Sequence, residues 1–180
     1  MTINTKGFTL IELLISISIL SIISLLLLPN YGNFNKKNTL RQAALNLGND
    51  VELVKNKALS GVYTNGSNCP SDNCKVDWGI KFNCSANTYT LGPYELGTST
   101  QYNDSNYVSS SDVKTISLPS KVSFDSATCP DNWVFGRLNG LVTYPSSGGN
   151  NQVKLSIEGI SDSVTLTLDL TSASLTYESN

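Results

Sequence analysis

Residues 7–29 read Gly7-Phe8-Thr9-Leu10-Ile11-Glu12-Leu13-Leu14-Ile15-Ser16-Ile17-Ser18-Ile19-Leu20-Ser21-Ile22-Ile23-Ser24-Leu25-Leu26-Leu27-Leu28-Pro29. A secretory signal places a basic residue, an apolar core and a small-residue cleavage site in that order. Here Lys6 and Gly7 come first, and no Ala-x-Ala site follows the apolar run. The run, residues 8–28, is 21 residues long. As a helix it would span about 31 Å at about 1.5 Å per residue, the thickness of a bilayer core. Glu12 is its only charged residue. A carboxylate in such surroundings is costly and asks for a partner.

Working outward, the apolar positions past Pro29 fall at Leu40, Ala44, Leu47, Val51, Val54 and Ala58. Alternating steps of three and four trace one face of a helix. Residues 29–60 are therefore expected to form the amphipathic half of one long helix. Pro29 and residues 30–33 are expected to kink it or to unwind it locally. No second helical segment follows, so the stripe must pack on strands. From residue 61 onward the pattern changes to short β-like runs between turn clusters. Strands are expected at 76–83, 88–92, 114–117, 121–125, 133–137, 141–145, 152–158, 164–170 and 174–177. Val164-Thr-Leu-Thr-Leu-Asp-Leu alternates apolar and polar residues, as a half-buried antiparallel strand does. Asn139-Gly140 is a hairpin turn signal. Residues 94–112, rich in Ser, Thr, Asn and Tyr, read as a long exposed loop. Tyr89, Tyr94, Tyr102 and Tyr107 are candidates for an exposed patch, with half of them expected to line the sheet or loop instead. The fold class is α+β: a long N-terminal helix packed on an antiparallel β-sheet head that occupies residues 61–180.

Charged residues make up 14% of the chain, and the formal net charge is −2. That balance gives no electrostatic reason for general nucleic-acid binding. Histidine is absent, which removes His-dependent triads, His general bases and most zinc sites. The acids Asp50, Glu52, Asp72, Asp77, Asp104 and Asp112 are scattered among turns and helix faces, and no pair stands out as general acid and base. Capping and solubility are the roles expected of them. Neither an enzyme activity, a cofactor nor a metal is expected. The four cysteines, Cys69, Cys74, Cys84 and Cys129, suit disulfides in an oxidising compartment better than zinc, since only one close pair exists. Three pairings are possible; the expected one joins Cys69 to Cys74 as a local clip and Cys84 to Cys129 across a long loop.

The string Gly7-Phe-Thr-Leu-Ile-Glu-Leu-Leu14 resembles the prepilin peptidase site of type IV pilins and type II secretion pseudopilins. Gly7 ends a short basic leader (residues 1–7), Phe8 is the expected new N-terminus, and Glu12 is the fifth residue after the cut. The resemblance implies cleavage between Gly7 and Phe8, N-methylation of Phe8, and packing of residues 8–28 into a membrane or filament core. There Glu12 would meet the N-terminal amine of a neighbouring Phe8. Opposite charges in a low dielectric pair strongly and fix the axial register. The later segments Leu40-Arg-Gln-Ala-Ala-Leu-Asn-Leu47, Trp78-Gly79-Ile80, Ile116-Ser-Leu-Pro119, Val134-Phe135-Gly136 and 153–170 resemble the H-type minor pseudopilin branch with its FimT-like minor pilins.

Two functional readings follow from the resemblance. The first is a structural subunit of a type II secretion pseudopilus or type IV pilus. Its partners would be other pilins, the prepilin peptidase and the inner-membrane assembly platform. It would sit in the bacterial inner membrane as a single-pass protein, with its head in the periplasm. The alternative is a binding module whose β head captures DNA or a surface. Gly136-Arg137-Leu138-Asn139 lacks the second Arg of the DNA-binding motif known in FimT-like proteins, and one Arg holds a duplex weakly, so DNA is not the expected partner.

Overall fold

The computed structural model describes residues 7–61, 76–95, 112–137, 139–144 and 150–179. Helix α1 runs from Leu10 to Leu59 over 50 residues. Thr9 caps its start in an extended conformation, and Ser60 closes its end. Gly61 follows at φ +61°, a left-handed residue that glycine adopts without a Cβ penalty. The chain stays helical through Pro29 and the Asn-Tyr-Gly after it. The expected unwound stretch is therefore not found: proline removes one backbone hydrogen bond, and the turns on either side keep theirs. The predicted apolar stripe is buried, with Leu40, Ala44, Leu47, Val51, Val54 and Ala58 joined by Ala43.

Nine strands follow among the described residues, in two antiparallel sheets. The first contains β1 (Val76–Asn83), β2 (Thr88–Glu95), β3 (Lys114–Ser117), β5 (Asn132–Phe135) and β6 (Val142–Tyr144), in the order β3-β2-β1-β5-β6. The second contains β4 (Val122–Phe124), β7 (Gln152–Ile157), β8 (Ser163–Leu168) and β9 (Leu175–Ser179), in the order β4-β7-β8-β9. The α+β class and the helix-then-sheet order are as expected, and the arrangement is consistent with a pilin fold. The head is, however, built from two sheets. The helix lies across both, touching β1, β2 and β5 of one and β4, β7 and β8 of the other.

Alternation within each strand decides what faces the helix. Trp78, Ile80 and Phe82 of β1, Tyr89 and Leu91 of β2, and Trp133 and Phe135 of β5 point into the core. From the second sheet come Val122, Phe124, Val153, Leu155, Ile157, Leu166 and Leu168. Phe82 stands edge-on to Trp133 at 5.0 Å and to Phe124 at 5.9 Å between ring centres. The Phe82–Phe124 contact bridges the two sheets under the helix. The Asn139-Gly140 turn forms as predicted: Gly140 has φ +62°, and the Gly136 amide donates to the Leu141 carbonyl at 2.8 Å.

Two expectations need correction. Tyr89 and Tyr94 are not exposed, at 2% and 0% respectively: Tyr89 faces the core, and Tyr94 is buried because β2 does not stop at residue 92. It continues through Gly92 and Pro93 to Glu95. Strand β3 pairs only with Thr88–Leu91. Among the described residues the Pro93 end of β2 therefore has no ladder on that side, and a missing N–H is tolerated there. Tyr102 and Tyr107 lie outside the described residues.

Candidate processing and assembly site

The N-terminal end of α1 stands clear of the head. Gly7 has open space around its Cα, and Phe8 is 81% exposed. Both precede the helix in non-helical backbone, so the Gly7–Phe8 peptide bond is accessible. Thr9 and Glu12 then form a reciprocal capping box. The Thr9 amide and hydroxyl donate to Glu12 Oε2 at 3.0 and 2.9 Å, and the Glu12 amide donates to Thr9 Oγ1 at 3.3 Å. Two donors that helix geometry would leave orphaned are thereby satisfied. Thr-x-x-Glu ahead of an apolar run is the sequence signal of this box, which gives Glu12 a local role beside its charge.

Downstream, every described serine of the apolar run bonds inward. Ser16, Ser18, Ser21 and Ser24 donate to the carbonyls of Glu12, Leu14, Ile17 and Leu20 at 2.7–2.8 Å. A hydroxyl satisfied within its own helix needs no water, which makes this polar set compatible with an apolar environment. The surrounding Leu and Ile side chains are exposed all round the helix, from Leu10 at 83% to Ile23 at 47%. A helix apolar on every side must be covered by lipid or by other helices. Among the described residues no helix is long and apolar enough to cross a membrane. The side chains described in this stretch run from Phe8 to Ser24 and are shorter than a bilayer span.

Where the helix reaches the head, polar contacts pin it. Lys37 Nζ pairs with Asp162 at 2.8 Å, and Lys55 Nζ donates to the Ala173 carbonyl at 2.8 Å. Lys57 stands 4.2 Å over the Trp78 ring, a cation–π contact. The Tyr89 hydroxyl donates to Asp50 at 2.6 Å. Burial, and then the neighbouring carboxylate, push that phenol well above its usual range. Asp50 and the buried Asp77, which accepts from the Arg137 amide at 3.1 Å, are thus structural acceptors. Sequence reading missed both, because their partners lie 39 and 60 residues away.

Cys84 and Cys129 are joined by a disulfide with Cα atoms 6.3 Å apart. It ties the β1–β2 turn to the segment leading into β5, as expected. Cys69, Cys74 and the leader residues 1–6 lie outside the described residues.

Comparison with known proteins bears on the same N-terminal end. Residues 3–28 match the family model described as Prokaryotic N-terminal methylation motif. This is a type IV pilin-like signal. The methylation motif covers Gly7, Phe8, Thr9 and Glu12 and stops one residue before Pro29. It therefore coincides with the part of α1 that projects from the head, and the rest of the chain lies outside the match. No curated protein and no solved structure matches the chain.

Proposed function

We propose that this chain is a minor pilin or pseudopilin, a structural subunit of a type II secretion pseudopilus or a type IV pilus. Prepilin peptidase cuts between Gly7 and Phe8, and the new Phe8 amine is methylated. Residues 8–28 hold the precursor in the bacterial inner membrane with the head in the periplasm. The helix then passes into a filament alongside other pilins, through an inner-membrane assembly platform. The role is mechanical rather than enzymatic. The observation that carries this reading is the coincidence of the methylation motif with an exposed, all-round apolar helix whose serines are internally satisfied. A passive anchor would need the apolar run alone, without Gly7, the capped Glu12 or an accessible bond between Gly7 and Phe8.

The test has two parts. Mass spectrometry of the membrane-extracted protein from peptidase-positive cells should find methylated Phe8 at the N-terminus. An intact leader there would overturn the proposal. Glu12→Leu should be retained in the membrane yet be depleted from sheared filaments at equal membrane abundance, because the neighbouring Phe8 amine loses its opposite charge. Equal incorporation would leave only an anchor.

A further inference from the structure

Among the described residues two open sheets leave four edge strands, and they are not equivalent. β3, β4 and β6 are four, three and three residues long. β3 opens on Lys114, and β4 follows Pro119 and Lys121, the latter at φ +72°. Short length, lysine and proline are the usual devices that blunt an edge. β9 has five residues and keeps regular register with β8 from Leu175 to Ser179. It contains neither lysine nor proline. The Asp169 amide donates to the Ser174 carbonyl, which sets the phase of this ladder. By the alternation of an antiparallel pair, the backbone groups of Leu175, Tyr177 and Ser179 then point to the open side.

Beside this edge lies a groove of about 520 Å³ between α1 and β8–β9, lined by Leu40, Ala44, Leu45, Val164 and Tyr177. Lys37 and Arg41 also border it. Asp162 neutralises Lys37, whereas Arg41 makes no ion pair among the described residues. The site therefore combines the longest and least blunted of the four edges, which carries one charge at Glu178, with an apolar trough and one unmatched cation.

We propose that β9 is the docking edge for an extended segment of a different subunit in the same filament. That segment adds as a fifth strand to the second sheet, lays alternate apolar side chains in the groove and brings a carboxylate to Arg41. An antiparallel pair with a second copy of this chain does not fit. Antiparallel pairing of two β9 strands places a two-fold axis perpendicular to the sheet. The helix lies on that sheet, so the two N-terminal helices would point in opposite directions, which a shared membrane or filament forbids. Head-to-tail pairing would have to use β3, β4 or β6, the short edges.

This inference rests on the filament-subunit reading, and its experiment separates the two. The full chain carrying the photocrosslinker p-benzoylphenylalanine at position 177 is expressed in filament-forming cells and irradiated. The expected product joins it to another mature subunit, within a segment that alternates apolar residues and carries an acid. Ser179→Pro, which removes an open-edge N–H without touching the β8 ladder, should lower the yield about tenfold, the effect of losing roughly one main-chain hydrogen bond. Ser179→Ala should leave it unchanged, and Arg41→Glu should lower it independently. A product with a second copy, a product that survives Ser179→Pro, or no product from filaments containing the chain would overturn the docking edge. The N-terminal peptide of the same sample reports maturation, so methylated Phe8 without a cross-link removes the edge alone. An uncut chain overturns both readings.

Discussion

Thr9 and Glu12 satisfy each other before any partner arrives. The Thr9 hydroxyl both accepts from the Glu12 amide and donates to its carboxylate. Thr9→Val keeps the shape and removes both bonds, so the first turn should loosen by about 1 kcal/mol. Hydrogen exchange at residues 10–13 in detergent micelles should quicken in Thr9→Val and stay slow in Thr9→Ser; equal protection in both would remove the cap's role. At the opposite end of the chain, Asp169 accepts from the Thr171 hydroxyl and amide at 2.7 Å each, and from the Ser172 amide at 3.2 Å. These bonds lower its pKa from 3.8 to about 2. A carboxylate lowered in this way contributes fully above its unfolded value and loses its contribution as pH falls through the folded one. Asp169→Asn keeps an acceptor but cannot titrate. The wild type should therefore lose thermal stability relative to Asp169→Asn on acidification from pH 3.8 towards pH 2; a constant gap between the two would count against the turn.

Two glycines set limits on how the elements pack, and they predict opposite outcomes. A Cβ on Gly79 would come 2.7 Å from the Trp133 carbonyl oxygen and 2.8 Å from the Tyr94 ring. Backbone cannot yield there, so Gly79→Ala should destabilise the head by about 1–3 kcal/mol. A Cβ on Gly48 would meet only the tip of Tyr177, a flexible side chain that is 48% exposed. Gly48→Ala should be neutral, or stabilising by up to about 1 kcal/mol through helix propensity. Chemical denaturation of the two variants checks the contrast. The elements were legible where periodicity is strict: β1 and β3 occupy the predicted residues, and the helical stripe is the buried one. Strand β2 runs past the expected end at Gly92 to Glu95. Gly92 is in fact paired with Gly79, and Tyr94 crosses diagonally to cover the bare strand at Gly79. That relation exists only once the register is known.

For the molecule as a whole, the single described disulfide closes a sequence separation of 45 residues. In the chain-entropy picture, Cys84→Ser with Cys129→Ser should cost roughly 3–4 kcal/mol. A thermal midpoint unchanged from the oxidised wild type would contradict that expectation. The division of the head into two sheets was not legible, since strand order depends on pairings between distant residues such as Trp78 with Phe135. The processing end was legible because its signal is local, residue against neighbouring residue. One helix joins the two ends, and at about 1.5 Å per residue its 50 residues reach roughly 75 Å. A pull on Phe8 therefore travels along a continuous rod into the middle of the head. There it loads the Leu40–Ala58 stripe in shear, with all of those side chains resisting at once, instead of peeling strands away one at a time. A subunit drawn from a membrane by its N-terminus would thus carry tension through the strongest direction of its own interface.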